Sequence, residues 1–255
     1  MQTENTIDSF GPRNISLREI GINTLGAFIS GIVGSLIMFF IVFLISGYID
    51  IPDAFDKTRA GLGTNSIFPF MLSLIAFFGS SIAIFSTYFF LTKTDPNKYK
   101  STPIHYGQLA FFMILTYIFI TPLYVYTGLQ TYDNIMYIFM GHVMILFFGT
   151  YIISELLNNY KYILTGIYGS FVGLFLTFFI SVSLFLSFSS GFAKLMVLLI
   201  LLPIINSLIL LFKQLFELAY YKYYTITGYD QLGDIFYQLE EEEREQQKEA
   251  EALNN

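Results

Sequence analysis

The chain contains no cysteine and no tryptophan, and it contains only two histidines. Without cysteine it can form no disulfide, thiolate nucleophile, cysteine-ligated zinc site or iron–sulfur cluster. The two histidines lie far apart in the sequence, and the HExxH, GxSxG, Walker A and GxGxxG motifs are all missing. We therefore predict no catalytic residue, no metal site and no cofactor, and an enzyme is the least favoured class of function.

Charge is also scarce, since charged residues make up 13% of the chain whereas hydrophobic residues make up 55%. A composition this apolar predicts a membrane protein, because a soluble domain needs more polar surface. The net charge of −6 comes from the C-terminal segment, where residues 222–255 hold nine of the 19 acidic residues but only three of the 13 basic ones. No basic stripe is present, so we expect no nucleic-acid partner.

Long runs with few or no charged residues recur six times along the chain, and each is long enough to cross a hydrocarbon core of about 30 Å. The predicted fold is all-α, a polytopic membrane bundle of six transmembrane helices near residues 20–49, 68–91, 106–126, 133–155, 162–186 and 192–219. Ser16 and Glu19 fit a capping box at the start of the first helix. Thr121-Pro122 predicts that the third helix kinks or ends there.

The predicted domains are an N-terminal cytoplasmic arm (1–19), a six-span membrane domain (20–221) and an acidic cytoplasmic helical tail (222–255). Loops on the N-terminal side of the predicted bundle hold eight lysines and arginines, and the opposite loops hold three. The positive-inside rule therefore places both termini in the cytoplasm. We expect an integral protein of a prokaryotic plasma (inner) membrane, in contact with membrane lipid.

The sequences KYK at Lys98, KYI at Lys161 and KYY at Lys222 each follow an even-numbered span. This regularity suggests three helical hairpins that repeat every 62 residues or so. The alternative is that the inner membrane boundary selects lysine and tyrosine in any protein.

Two ionisable residues lie within or at the edge of the fourth span. His142 is a candidate proton relay or ligand, because ionisable groups inside a span are often functional; alternatively it hydrogen-bonds a carbonyl of a neighbouring helix. Glu155 lies near the far end of the span, where it can pair with Lys161 or Lys213 or extend to water. The two residues are 13 positions apart and so occupy different faces of the helix.

Other polar residues lie in the fifth and sixth spans. One face of the fifth span carries three hydroxyl side chains, at Ser170, Thr177 and Ser181. They line a hydrated path or simply bond the carbonyls four positions earlier in their own helix. Asn206 is a further candidate in the sixth span, and Lys213 and Glu217 are spaced to pair at the membrane edge.

Small residues indicate where helices pack closely. In the first span they recur every four positions, at Ala27, Gly31 and Ser35, and in the fifth span they include Gly169 and Gly173. The acidic tail would be repelled by anionic lipid, so it points to the cytosol or to a basic partner. The candidate docking residues are Asp230, Asp234, Glu240, Glu241, Glu242 and Glu243; the alternative is a solvated tail without a partner.

Three functions fit this pattern. The first is a permease-like membrane domain of a multi-component transport system, with no catalytic chemistry of its own and with an ATPase partner docking on the 93–105 loop or the tail. In size and topology it is similar to the membrane subunits of some ABC exporters, which is an analogy of architecture. The second is a non-catalytic structural or assembly subunit of a larger membrane complex. The third is a lipid-modifying enzyme that would use His142 and Glu155. The oligomeric state is left open.

Overall fold

The computed structural model describes residues 16–48, 67–96, 98–99, 101–128, 132–158, 163–188 and 191–223. Within these ranges all regular structure is helical, in six helices: α1 (Leu17–Ser46), α2 (Ile67–Thr94), α3 (Pro103–Gly128), α4 (Tyr132–Asn158), α5 (Ile163–Leu186) and α6 (Gly191–Tyr223). All six are long and apolar enough to cross a membrane. The chain is therefore an integral membrane protein with an all-α, six-span fold, as predicted. The tail helix and the docking residues predicted in it lie outside the described residues.

Local sequence explains where several helices begin and how they continue. At the start of α1, the Glu19 N–H donates to Ser16 Oγ at 3.2 Å, and the Ser16 N–H donates to Glu19 Oε2 at 2.9 Å. The capping box thus satisfies two backbone donors that a helix start leaves without partners. Pro122 lies inside α3, so the helix does not end there, and the alternative, a kink at Pro122, stays a prediction. A membrane helix can continue through a proline because the surrounding structure satisfies the backbone groups that proline frees.

The six helices form a ring of three hairpins. Each odd-numbered helix packs against its own even-numbered partner and against the even-numbered helix of the preceding hairpin: α1 against α2 and α6, α3 against α4 and α2, and α5 against α6 and α4. The even-numbered helices occupy the centre, where α4 contacts both α2 and α6. In their most apolar windows, 56–61% of residues in the even helices are buried, against 17–33% in the odd helices. This cyclic packing is what three repeated hairpins would produce.

The small residues of α1 allow it to approach α6 closely. Ala27, Gly31 and Ser35 are all buried, and a Cβ atom on Gly31 would overlap the backbone of Pro203. Pro203 has no N–H to donate to the carbonyl of Leu199, and Ser35 Oγ donates to that carbonyl at 2.5 Å. α1 therefore both fits against α6 and supplies a hydrogen bond that α6 cannot make within itself.

The glycines of α5 play a similar part on the other side of α6. A Cβ atom on Gly173 would lie 2.5 Å from the carbonyl oxygen of Ile209, and one on Gly169 would lie 2.9 Å from that of Lys213. Apolar side chains fill the remaining space between the helices as one continuous core. Because lipid tails are as apolar as this core, close packing and interhelical hydrogen bonds must hold the ring together.

Candidate functional site

Asn206 lies at the centre of the bundle and connects four helices. Its Nδ2 donates to the carbonyl of Ala27 in α1 and to Thr87 Oγ1 in α2, both at 2.8 Å. Its Oδ1 accepts a hydrogen bond from Tyr151 OH in α4 at 2.9 Å. The side chain is fully buried, so both ends of its amide are satisfied by protein groups alone.

A small cavity adjoins Asn206 and has room for about one water molecule, although most of the surface that faces it is apolar. Besides Asn206, its lining consists of four residues of α2 and four of α4: Ile84, Thr87, Tyr88, Leu91, Phe147, Thr150, Tyr151 and Ser154. Each α4 residue lies 63 positions after an α2 residue, and both sets have the spacing of one helical face. The same shift leads in α6 to four further buried residues, Leu210, Lys213, Gln214 and Glu217. We call these three corresponding faces, on α2, α4 and α6, the central axis.

One end of the central axis lies against a buried group of charged side chains. This is the end of the bundle at which α1 begins and α2, α4 and α6 end. Lys98 Nζ lies 2.9 Å from Oε1 of both Glu155 and Glu217. Lys213 Nζ lies 2.6 Å from the same two oxygens. All four side chains are at most 3% exposed. Two lysines and two glutamates thus alternate around a ring whose charges cancel, and we call these four residues the ion cluster.

The ion cluster draws its members from three parts of the chain. Glu155 lies in the last turn of α4, and Lys213 and Glu217 are one turn apart in α6. Lys98 comes from the connection between α2 and α3, where its N–H donates to the carbonyl of Asp95 at 3.2 Å in a tight turn. On the α5 side, a Cβ atom on Gly166 would overlap the carboxylate of Glu155, so glycine at this position lets α5 lie against the cluster without displacing that carboxylate.

Two further ionisable residues adjoin the ion cluster in the α2–α3 connection. Asp95 is half-buried, and its Oδ1 accepts a hydrogen bond from the Lys98 N–H at 3.3 Å. Burial raises the pKa of the Asp95 carboxyl above its usual value, against the opposing effect of the positive charge on Lys98. Burial likewise raises the pKa of the Tyr99 hydroxyl well above its usual value, so Tyr99 remains a neutral neighbour of the cluster.

One oxygen of the ion cluster has no partner. Oε2 of Glu217 is buried, and nothing in the described part of the chain donates a hydrogen bond to it. Withdrawing a charged group from water costs several kcal/mol even when it is paired, and apolar replacements of buried ion pairs are often as stable. The stability of the bundle therefore does not explain why four charges lie here, and charged residues within a membrane domain are candidates for function.

The structure places the predicted residue Glu155 in the ion cluster and pairs it with Lys213, one of its two predicted partners; the other, Lys161, lies outside the described residues. Glu155 is only 1% exposed, so it does not extend to water. The pairing of Lys213 with Glu217 is also present. Asn206 lies further along the central axis.

His142 lies elsewhere, between α4 and α3, and is not part of the cavity lining. Its Nδ1 is 3.3 Å from Tyr124 OH, and its Nε2 is buried without a hydrogen-bond partner among the described residues. The predicted bond to a carbonyl of a neighbouring helix is therefore replaced by contact with a tyrosine hydroxyl.

The three hydroxyl residues of α5 are all buried, but they do not line the cavity either. Ser170 Oγ donates to the carbonyl of Gly166 at 2.8 Å, within its own helix. The hydroxyls of Thr177 and Ser181 have no hydrogen-bond partner in the described ranges. These residues belong to the face by which α5 packs against the centre of the bundle.

Sequence reasoning did not identify Lys98, Thr87 or Tyr151 as site residues. Lys98 was counted only as a loop lysine that marks the cytoplasmic side. The dipeptide Thr-Tyr occurs at 87–88 and again at 150–151, 63 positions later, but it also occurs at 116–117 and 131–132, so by itself it does not indicate the two corresponding faces of the central axis.

No protein family matches the chain, and no curated protein or solved structure is significantly similar to it. The function is therefore inferred from the geometry of the central axis and the ion cluster.

Proposed function

We propose that the chain is the permease-like membrane domain of a transport system, with the central axis as its translocation path and the ion cluster as a gate at the cytoplasmic end. The observation that carries this proposal is the run of buried polar side chains from Asn206 through the cavity to the ion cluster. A scaffold or anchor would have no need of such a lining, because apolar side chains can fill the centre of a bundle without the cost of burying polar groups.

The ion cluster is built so that it can part without leaving an unpaired charge. Lys213 and Glu217 are on the same helix and stay together when α6 moves. Lys98 and Glu155 form a second pair, between the α2–α3 connection and α4. Movement of α6 away from α4 would break the contacts between the two pairs and leave each pair neutral. Breaking a buried pair that leaves an isolated charge costs about 3–5 kcal/mol, so this arrangement suits repeated opening.

A partner protein has a direct route to this gate. Lys98 lies in the 93–105 segment, where the sequence suggests that an ATPase partner docks. A partner that moves this segment together with the end of α4 would carry the pair Lys98–Glu155 away from the pair Lys213–Glu217. The proposed division of labour is that the partner supplies energy and the membrane domain supplies the path.

Because the chain has no cysteine, single cysteines can test whether water reaches the central axis. We would place them at Thr150 and Ser154, which line the cavity, and at Ser81, a buried α2 serine outside the lining, as the matched control. Each variant, reconstituted in lipid, would be treated with a small water-soluble thiol reagent, with and without Glu155→Gln to weaken the gate. Reagent that cannot cross the membrane would be added from each side in turn.

We expect both axis cysteines to react from the cytoplasmic side, and to react about tenfold faster with Glu155→Gln, which corresponds to a gate weakened by about 1.4 kcal/mol. The Ser81 cysteine should react slowly in both backgrounds. Axis cysteines that react no faster than the control, with or without Glu155→Gln, would refute the path and favour a structural subunit.

A further inference from the structure

The ion cluster and its neighbour Asp95 contain more acids than bases. Asp95, Glu155 and Glu217 supply three carboxylates, whereas Lys98 and Lys213 supply two ammonium groups. With all five groups charged, the sum is one negative charge. Four of the five are buried at the end of the central axis, and Asp95 is half-buried beside them.

The hydrogen bonds also show that the carboxylates have too few donors. Both ammonium groups point at Oε1 of Glu155 and at Oε1 of Glu217. Oε2 of Glu217 has no donor among the described residues although it is fully buried. A buried carboxylate oxygen without a donor is costly, and a proton is the smallest species that removes both the charge and the deficit.

We propose that Asp95, Glu155 and Glu217, held by Lys98 and Lys213, share a binding site for one proton, and that binding of this proton opens the gate. This inference rests on the proposed transport function. In the binding step one O–H bond of a hydronium ion breaks, a new O–H bond forms at one carboxylate oxygen, a water molecule is released, and both lysines keep their charge. No electron transfer is involved.

Among the described residues, the elements around the site contribute the following charged and titratable groups. From the α2–α3 connection come Asp95, Lys98 and Tyr99, and the nearby α1 contributes Glu19, which is half-buried and engaged in the capping box. α4 contributes Glu155, and α6 contributes Lys213 and Glu217. The contact from α5 is made by glycine. Two ammonium groups inside the cluster would repel a metal cation, so the geometry favours a proton over sodium or potassium.

Protonation of Glu155 weakens the contacts that hold the gate closed. Its attraction for Lys213 falls when its charge is lost, while Lys213 keeps Glu217 one helical turn away. Lys98 remains beside the negative charge of Asp95, three positions earlier, whose Oδ1 accepts a hydrogen bond from the Lys98 backbone N–H. Two neutral pairs and one uncharged carboxylic acid remain, so α4 and α6 are no longer joined through Glu155. Asp95 is the member open to water and gives the proton a route in.

The test is a titration of the full chain in lipid nanodiscs, followed by infrared absorption of protonated carboxyl groups and by direct measurement of proton uptake. We expect uptake of one proton per chain by this site. Asp95→Asn, Glu155→Gln and Glu217→Gln should each abolish it, because each makes the site neutral without a proton. Glu19→Gln is the matched control and should leave uptake unchanged.

Effects confined to one of the three carboxyls would overturn the shared site, and so would uptake that none of the three variants changes. Where an amide variant fails to fold, Lys98→Met gives the opposite test, because it removes a positive charge and should raise uptake to two protons. Cysteine labelling at Ser154, normalised to an exposed cysteine at Ser101, separates the two proposals. An axis that is labelled at the same rate at every pH contradicts proton control of the gate only, whereas an axis that is never labelled contradicts transport itself.

Discussion

Replacing Asn206 by leucine is expected to destabilise the bundle by about 2 kcal/mol. The substitution keeps the volume but removes three interhelical hydrogen bonds, to Ala27, Thr87 and Tyr151. Interhelical hydrogen bonds in membrane proteins contribute about 0.6 kcal/mol each on average, and the three together give the stated total. Thr87 loses least, because its hydroxyl also donates to the carbonyl of Ala83 at 2.8 Å.

The assay is equilibrium unfolding in mixed micelles of a mild and a denaturing detergent, followed by helical circular dichroism. Asn23→Leu is the matched control: Asn23 is also a buried asparagine, in α1, but its Oδ1 has no hydrogen-bond partner among the described residues. That change should cost much less than Asn206→Leu or should stabilise the protein. A double-mutant cycle with Tyr151→Phe should give a coupling of about 0.6 kcal/mol. Equal costs for the two asparagines, or no coupling, would refute the role of Asn206 as the connection between four helices.

Three further predictions concern packing, a freed carbonyl and pH. Gly31→Ala is expected to cost at least about 1 kcal/mol in the same unfolding assay, because the new methyl group overlaps Pro203, whereas Gly141→Ala, with no atom within 4 Å, should be neutral or stabilising; similar effects would contradict the close approach of α1 and α6. Ser35→Ala should cost about 1–2 kcal/mol by leaving a carbonyl without a donor, and this cost should disappear in a Pro203→Ala background, where the helix can bond that carbonyl itself. Asp95→Asn should raise the melting temperature at neutral pH. Burial raises the pKa of Asp95 in the folded protein, so the proton bound to Asp95 stabilises the fold fully below the unfolded pKa. This stabilisation is lost as the pH rises through the folded pKa. The melting temperatures of the wild type and of Asp95→Asn should therefore converge at low pH. A difference that is the same at every pH across the acidic range would contradict the raised pKa of Asp95.

The six spans could be predicted because long uncharged runs report solubility in lipid directly. The helix ends were less certain, since hydropathy shows where lipid contact ends and not where the helix does. α6 illustrates this, because it continues to Tyr223 whereas the prediction ended at residue 219. Its last turns carry Lys213 and Glu217, which are polar and yet completely buried.

The ion cluster could be predicted only in part. Lys213 and Glu217 are close in sequence, so helical spacing was enough to pair them. Lys98 and Glu217 are 119 positions apart, and a count of loop charges does not distinguish a solvated lysine from one that turns back into the bundle. Asn206 presents the same difficulty, since its partner in α1 lies 179 positions away.

In the sequence, Lys-Tyr pairs after the even spans suggest a repeat of three hairpins, which stays a prediction. The cyclic packing makes the pattern clearer, because positions 63 apart in α2 and α4 line one cavity. The first hairpin obscures the regularity: residues 47–66 separate α1 from α2, whereas residues 129–131 separate α3 from α4. No single shift therefore aligns odd and even helices together.

Because the chain is synthesised from its N-terminus, the ring of helices is completed by its last helix. α6 leaves the ribosome last, and it carries Asn206, Lys213 and Glu217. Until it enters the bilayer, Lys98 and Glu155 lack Lys213 and Glu217, α1 lacks α6, and the amide of Asn206 is absent between Thr87 and Tyr151. A chain that stalls before Gly191 therefore leaves polar groups without partners in the membrane, which distinguishes it chemically from a finished product. Insertion of α6 completes the ring of helices and, in the same step, gives these polar groups their partners.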